Sequence, residues 1–415
     1  MSAESRVQKS ELRTHNSALC TLLSALSFVL LLALPIHAQR SRAVRSSPFD
    51  TPASWLRHRA ISLDDSARLL RLTQNARVVA FGDVTHGTHE TYAARLHVIP
   101  ELVDGGGFRV IAVEGPYAQW AAIDDFVRGG AGDPGALLRD DAYWFWNTQE
   151  VLDLILWARA QNAGGIAPPI RIAGVDATEP EAVATRVIAA LRGIAPDLAS
   201  FAELQYGCLP QCNDAILEVR KRIASRFPND DELIHAARVI EQGNTIGSEL
   251  LGNRDAIMAE NILWLADRGK VLLWGHNEHW SRTDYQLVGP RVYRSTGSDL
   301  DAALGDAYFV IGSIVRDGAF YNVQIAPRPF VAAQTIDPPA IDDWAELLDQ
   351  SALASVIIPL FQPLPDFMQV PRTIRFAGSS GPTLTTAPQR LDAKFDAVLY
   401  IRTSTLSMVR YFPLF

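Results

Sequence analysis

Four short apolar runs, each ending in polar residues, constrain this chain more than any other feature. They are residues 77–81 (RVVAF), 109–113 (RVIAV), 171–175 (RIAGV) and 270–274 (KVLLW). Each is rich in Val, Ile, Leu or Ala and lacks polar alternation, the pattern of strands buried on both faces of a parallel sheet. Longer stretches with helical spacing lie between them. Residues 149–163 follow the capping-type pair Asn147 and Thr148, and residues 254–268 carry apolar positions at helical intervals. Such alternation predicts an α/β fold, with a central, mostly parallel sheet flanked by helices. Residues 180–250 hold helical patterns without a clear strand and read as a helical insertion. Towards the end, residues 307–315 (AYFVIGSIV), a turn at Asp317 and Gly318, and residues 320–325 read as a hairpin. A last strand is expected at 397–401. The C-terminal part is thus expected to extend the sheet with antiparallel strands, and residues 55–415 to form one domain.

The bulk composition sets outer limits. Of 415 residues 48% are hydrophobic, enough for a large core. The net charge of -8, without a basic cluster, excludes a nucleic-acid partner, because phosphate contacts need Lys and Arg. Residues 1–17 carry Arg6, Lys9 and Arg13, an apolar run spans 18–34, and Ala38 precedes Gln39. This reads as a signal peptide over residues 1–38, followed by a flexible segment over 39–54, and predicts export to the periplasm or the exterior. The run also has the length of one membrane span, so an uncleaved anchor is the alternative. No stable span is expected in the mature form. Cys208 and Cys212 flank a short stretch containing Pro210, and an oxidising compartment permits a disulfide between them. Two cysteines do not fill a structural zinc site.

The polar residues after the four runs carry the chemistry. The first run leads into Asp83, Thr85 and His86, the second into Glu114, the third into Asp176, and the fourth into His276, Asn277, Glu278 and His279. Ligands of open α/β sheets bind outside the carboxyl ends of the strands, so these ends converge on one site. Histidine titrates near neutrality and serves as general base or acid. Asp83 and Glu114 can orient a histidine or hold its protonated form, and Arg95 can bind a substrate oxygen or an oxyanion. No G-x-S-x-G elbow occurs, which favours a water nucleophile activated by histidine over a serine triad. Plainer roles compete. Asp83 can cap the following helix, His89 can face solvent at a helix start, and Glu114 can pair with Arg95. Trp144, Phe145 and Trp146 suit either a large apolar pocket or the core. Arg254 and Asn261, seven residues apart on one helix, suit support of the loops under the site. The pairs His86/His89 and His276/His279 are both H-x-x-H, so zinc or manganese stays open.

The segment FGDVTHGTHE at 81–90 closely resembles the G-E-x-[ST]-H-G-[ST]-x-E segment of erythromycin esterase-like proteins. The resemblance continues through Arg95, VEG at 113–115, VRGG at 127–130 and WNTQEV at 146–151. It resumes with AGVDA at 173–177, RDAIMAENILWL at 254–265 and LLWGHNEH at 272–279, covering roughly residues 65–320. It implies hydrolysis of a macrolactone ester, with His86 as base towards water. It also implies that Glu114, Arg95 and His276 belong to the site and that His279 lies close by. One departure stands out: the family commonly carries Glu where this chain has Asp83. A carboxylate one methylene shorter must reach a histidine or water differently, or through a water, which bears on macrolide hydrolysis more than on hydrolysis itself. The expected protein is therefore an exported hydrolase of a carboxylic ester. Asp83, His86, Arg95, Glu114 and His276 are the expected catalytic set, with His89, Asp176 and His279 expected to meet a small-molecule substrate. No cofactor is expected. A metal-dependent hydrolase on the same fold and a non-catalytic exported binding protein remain the alternatives.

Overall fold

A computed structural model describes residues 51–139, 143–209, 212–246, 250–286, 291–324 and 327–412. The signal-peptide expectation, and most of the flexible segment after it, lie outside these residues. Helices α1 (Pro52–Arg59) and α2 (Ser66–Thr73) precede strand β1 (Val78–Asp83). Helix α3 (His89–Asp104) leads to β2 (Phe108–Pro116), and α4 (Tyr117–Val127), α5 (Pro134–Arg139) and α6 (Gln149–Ala163) lead to β3 (Arg171–Asp176). Five helices then intervene: α7 (Pro180–Ile194), α8 (Pro196–Tyr206), α9 (Asn213–Arg226), α10 (Asp231–Ile246) and α11 (Leu250–Ala266). Strand β4 (Lys270–His276) follows, then α12 (Asn277–Trp280) and α13 (Thr296–Leu304).

These four strands are parallel, in the spatial order β3-β2-β4-β1. Every residue of β1 is buried, as its unbroken apolar pattern requires of a strand covered on both faces. Register fixes where the strands stop. Asp83 lies beside His276, and Pro116 beside Asp176. The polar tails of the four runs therefore reach one edge of the sheet together. The helices between β3 and β4 build a separate apolar cluster around Val187, Leu191, Ile216, Ile223 and Ile240, which is how so long a helical insertion stays packed. Cys208 and Cys212 form a disulfide within it.

The C-terminal half departs from the expected hairpin. Residues 308–324 form one strand, β5, with no turn at Asp317 and Gly318. Gly318 holds φ at +124°, and a Cβ there would collide with the backbone of Ser404. The glycine thus serves a close strand approach, where the sequence suggested a chain reversal. The antiparallel partner of β5 is the later strand β6 (Phe330–Ile336). Helix α14 (Trp344–Asp349), strand β7 (Ser355–Pro359) and a two-stranded sheet of β8 (Arg375–Phe376) and β9 (Leu384–Thr385) follow. The last strand, β10 (Ala397–Ser404), runs antiparallel to β7 but parallel to β5. The main sheet thus has eight strands among the described residues, parallel at its centre with antiparallel additions. No helix among the described residues is long and apolar enough to cross a membrane.

Candidate functional site

The β1–α3 turn carries His86 at the sheet's carboxyl edge. Its shape depends on Gly87, which holds φ at +84° and whose Cβ position lies 2.5 Å from the Tyr321 carbonyl oxygen. The Gly87 carbonyl accepts the backbone N–H groups of Tyr321 (3.2 Å) and Ser407 (3.0 Å), so β5 and the C-terminal segment both pin the turn. Ser313 Oγ caps it further by bonding the Val84 N–H at 2.7 Å. His86 is buried, with Phe145 stacked on its ring. Burial drives its pKa down to about 3, with Glu114 opposing and His276 assisting, so the imidazole is neutral.

Beneath His86 lies a buried ion pair. Arg95 Nη1 donates to Asp83 Oδ1, and Trp274 Nε1 donates to Asp83 Oδ2 at 3.2 Å. Arg95 also lies over the Trp274 ring, 5.2 Å from its centroid. Burial raises the Asp83 pKa to about 6, with Arg95 opposing. The nearer Asp83 oxygen is 3.9 Å from His86 Nδ1, too far for a hydrogen bond, and Nδ1 takes no other partner among the described residues. Among the same residues Arg95 leaves Nε and Nη2 without partners. Buried polar atoms of this kind are uncommon.

A second network surrounds Glu114. Its Oε1 accepts from Arg254 Nη2 at 3.0 Å and lies 3.3 Å from His279 Nε2; its Oε2 accepts the His276 backbone N–H at 2.9 Å. Arg254 Nε also donates to Asp176 at 2.7 Å, where the Tyr143 hydroxyl adds a bond of 2.9 Å. His279 Nδ1 bonds Asp255 at 2.7 Å. Burial favours neutral His279, but Asp255 and Glu114 outweigh it and lift its pKa to about 10. Burial alone would raise Glu114; His279 and Arg254 reverse this and hold it well below the usual carboxylate range. His279 is thus an imidazolium between two carboxylates. His276, its pKa lowered by burial, has both nitrogens engaged, Nε2 with the Ala377 carbonyl at 3.1 Å and Nδ1 with the Glu278 N–H at 3.3 Å.

The rings of His86 and His276 are 5.3 Å apart, and those of His276 and His279 are 6.3 Å apart. Asp83, His86 and Arg95 form one contact group; Glu114, Asp176, His276 and His279 form the other. His89 joins neither. Its Nδ1 bonds Glu150 at 2.7 Å, and Glu150 also accepts the Met408 N–H. Arg95 pairs with Asp83, not with Glu114. Phe145 touches the site, while Trp146 packs among Trp120, Tyr92 and Trp274 and bonds the Glu114 carbonyl. Asn261 supports the β3 end by bonding the Val175 carbonyl at 2.9 Å. Arg254, in contrast, sits at the centre of the second network. Asp255 and Tyr285, which bonds it at 2.9 Å, were not singled out from sequence. The available signal was the adjacent charged pair Arg254-Asp255 ahead of a largely apolar helical stretch. No group of three or more His, Cys, Asp or Glu side chains among the described residues is arranged to hold a metal ion.

The comparisons with known proteins agree with one another. The profile of the family described as "Erythromycin esterase" matches residues 103–404. YbfO of Bacillus subtilis strain 168, a protein named provisionally as a hydrolase, is 22% identical over 350 residues, covering 69% of this chain and 76% of its own. Erythromycin esterase type II of Escherichia coli is 22% identical over 416 residues, covering 86% of this chain and 96% of its own. A solved structure of an erythromycin esterase mutant in its open conformation superposes with a TM-score of 0.64 at 15% identity, covering 84% of this chain and 96% of that one.

Proposed function

The chain belongs to the erythromycin esterase family, and from that premise we propose an exported hydrolase that cleaves a carboxylic ester with water activated by His86. The observation that carries this reading is the state of His86. It is neutral, and its Nδ1 faces the Asp83 carboxylate across 3.9 Å. A proton held on Nδ1 leaves Nε2 as the lone pair that takes a proton from water. The water oxygen then adds to the ester carbonyl. As the intermediate collapses, the carbon–oxygen bond to the alcohol breaks, and the proton on His86 passes to the leaving alkoxide.

In this reading, charge that develops on the carbonyl oxygen is stabilised by the fixed positive groups of the site. Imidazolium His279 and Arg95 both act on His86 electrostatically, and Arg254 holds Glu114 and Asp176 in place. Fixed charges in a water-poor site stabilise such an oxyanion without reorganisation at the moment of reaction. The reading calls on no metal. His276, His279 and Glu114 already spend their nitrogens and oxygens on hydrogen bonds, and coordination would have to break these. A macrolactone is the substrate class suggested by the name of the Escherichia coli relative. Export rests on the charged segment, apolar run and Ala38 of the N-terminus, and the Cys208–Cys212 disulfide suits an oxidising compartment.

The test is an ester panel that includes 14-membered macrolides, run with wild type and His86→Ala in the presence and absence of a chelator. Wild type is expected to hydrolyse at least one ester with the chelator present. His86→Ala is expected to lose about 10²–10⁴-fold in kcat/KM with unchanged circular dichroism. Full activity in His86→Ala refutes the role of His86. Saturable ester binding without turnover by wild type indicates a binding protein instead.

A further inference from the structure

A cleft of about 450 Å³ opens between α4, α7, α10, α11 and the β3 edge. It shares no lining residue with either network around His86 and Glu114. Its size is that of a small-molecule pocket, since such pockets run to roughly 300–1,000 Å³. Its walls are largely apolar, from Val183, Val187 and Leu233, with Tyr117 and Trp264 as aromatic members.

One polar group inside it is unexplained by the fold. His235 is 5% exposed and lines the cleft, yet its ring takes no hydrogen bond among the described residues. The ring stacks on Trp264, centroids 3.8 Å apart and planes within 6°, and meets Tyr117 edge-on at 5.8 Å. Trp264 is itself held by the Arg268 guanidinium, 4.0 Å above its ring. The imidazole is therefore fixed in orientation, and it lines the cleft without a protein hydrogen-bond partner among the described residues. A ligand hydroxyl or carbonyl that enters the cleft can bond it in place of water.

The charges around the cleft indicate which ligand. Arg171 pairs with Asp124 and Glu232, each at 2.8 Å, Arg128 with Asp124 at 3.0 Å, and Arg186 with Asp125 at 2.7 Å. These guanidiniums are already neutralised, so nothing here seeks an anion. We propose that this cleft is a second binding site, for an uncharged small molecule with a flat apolar ring and one hydroxyl or carbonyl that bonds His235.

The probe is 2-naphthol, titrated calorimetrically into the full-length protein. Wild type is expected to bind one equivalent saturably. His235→Phe keeps a ring for the Trp264 stack and removes both nitrogens; it is expected to bind about three- to tenfold more weakly, as loss of one hydrogen bond implies. Ala190→Trp, at an exposed position on the cleft wall, is expected to reduce binding by obstruction without touching the core. His86→Ala is expected to bind as wild type does. No saturable binding by wild type overturns the proposal. So does wild-type affinity in both cleft variants, and so does loss of binding in His86→Ala, which would place the probe at the histidine site.

Discussion

Phe145 lies face to face with His86, ring centroids 3.9 Å apart and planes within 6° of parallel. The stack is why His86 is buried although it sits in a turn at the edge of the sheet. Burial is also the leading cause of its low pKa, about 3. A base so weakened is neutral at every working pH but takes a proton reluctantly. Removing the cover is expected to relieve the burial. In Phe145→Ala the His86 pKa should rise towards its ordinary value by about one unit or more. Histidine ring proton shifts followed by NMR from pH 2.5 to 8 measure this. An unchanged titration in the variant would mean that something other than Phe145 sets the environment of His86.

Asp83 is expected to set the acid side of the pH profile. Its pKa is raised to about 6, by burial first, with Arg95 pulling the other way. The ionised form holds Arg95 and faces His86; protonation removes both interactions. For any ester the protein hydrolyses, kcat/KM is therefore expected to fall as the pH drops through about 6. His86, at about 3, is too acidic to cause that limb. Asp83→Asn should lower the plateau and flatten the profile between pH 5 and 7. A limb that persists unchanged in Asp83→Asn assigns it to another group.

Much of the scaffold was readable from four apolar runs because both faces of a central strand must be apolar, and few other local structures require that. The same logic failed at β5, where Asp317 and Gly318 look like a turn but lie within a continuous strand. The glycine answers to Ser404, a residue far away in sequence, and no local pattern carries that information. At the site, the strand ends placed Asp83, His86, Glu114, Asp176 and His276 at one edge. They did not say who pairs with whom. Arg95 and Arg254 both sit on helices beside carboxylates, and only packing sends the first to Asp83 and the second to Glu114 and Asp176. His89, three residues on from His86 and the first residue of α3, points to Glu150 instead, beyond the turn at Gly87.

His279 links the site to stability at alkaline pH. Burial lowers its pKa, but Asp255 and Glu114 prevail and raise it to about 10, against 6.5 for a free side chain. A group with a raised folded pKa binds its proton more tightly when folded. Its contribution is present in full below about pH 6.5 and fades as the pH rises through about 10. Urea unfolding of wild type at pH 6, 7, 8 and 9 is expected to show a declining free energy over that window. His279→Gln should be less stable at pH 6 and show a shallower decline. Parallel declines in the two proteins would remove His279 as the source.

Arg254 joins two carboxylates that are otherwise apart, bonding Glu114 at 3.0 Å and Asp176 at 2.7 Å. Both carboxylates are buried, so deleting the guanidinium takes the cationic partner from Asp176 and one of two from Glu114. Breaking one buried pair typically costs about 3–5 kcal/mol. Arg254→Met is expected to lose at least about that much in urea unfolding at pH 7. The loss should not be purely a matter of packing, because methionine fills similar space along the stem. Adding Asp176→Asn removes one of the stranded charges, and the double variant should therefore regain part of the loss, a coupling of about 1 kcal/mol or more between neighbours in one network. Glu114 retains imidazolium His279 as its partner in both variants, so Asp176, whose Oδ2 takes Arg254 and the Tyr143 hydroxyl and whose Oδ1 takes no bond among the described residues, is the carboxylate that most needs Arg254. If the double variant is no more stable than Arg254→Met, the burden lies on Glu114 instead, and the corresponding Glu114→Gln double variant should show the recovery.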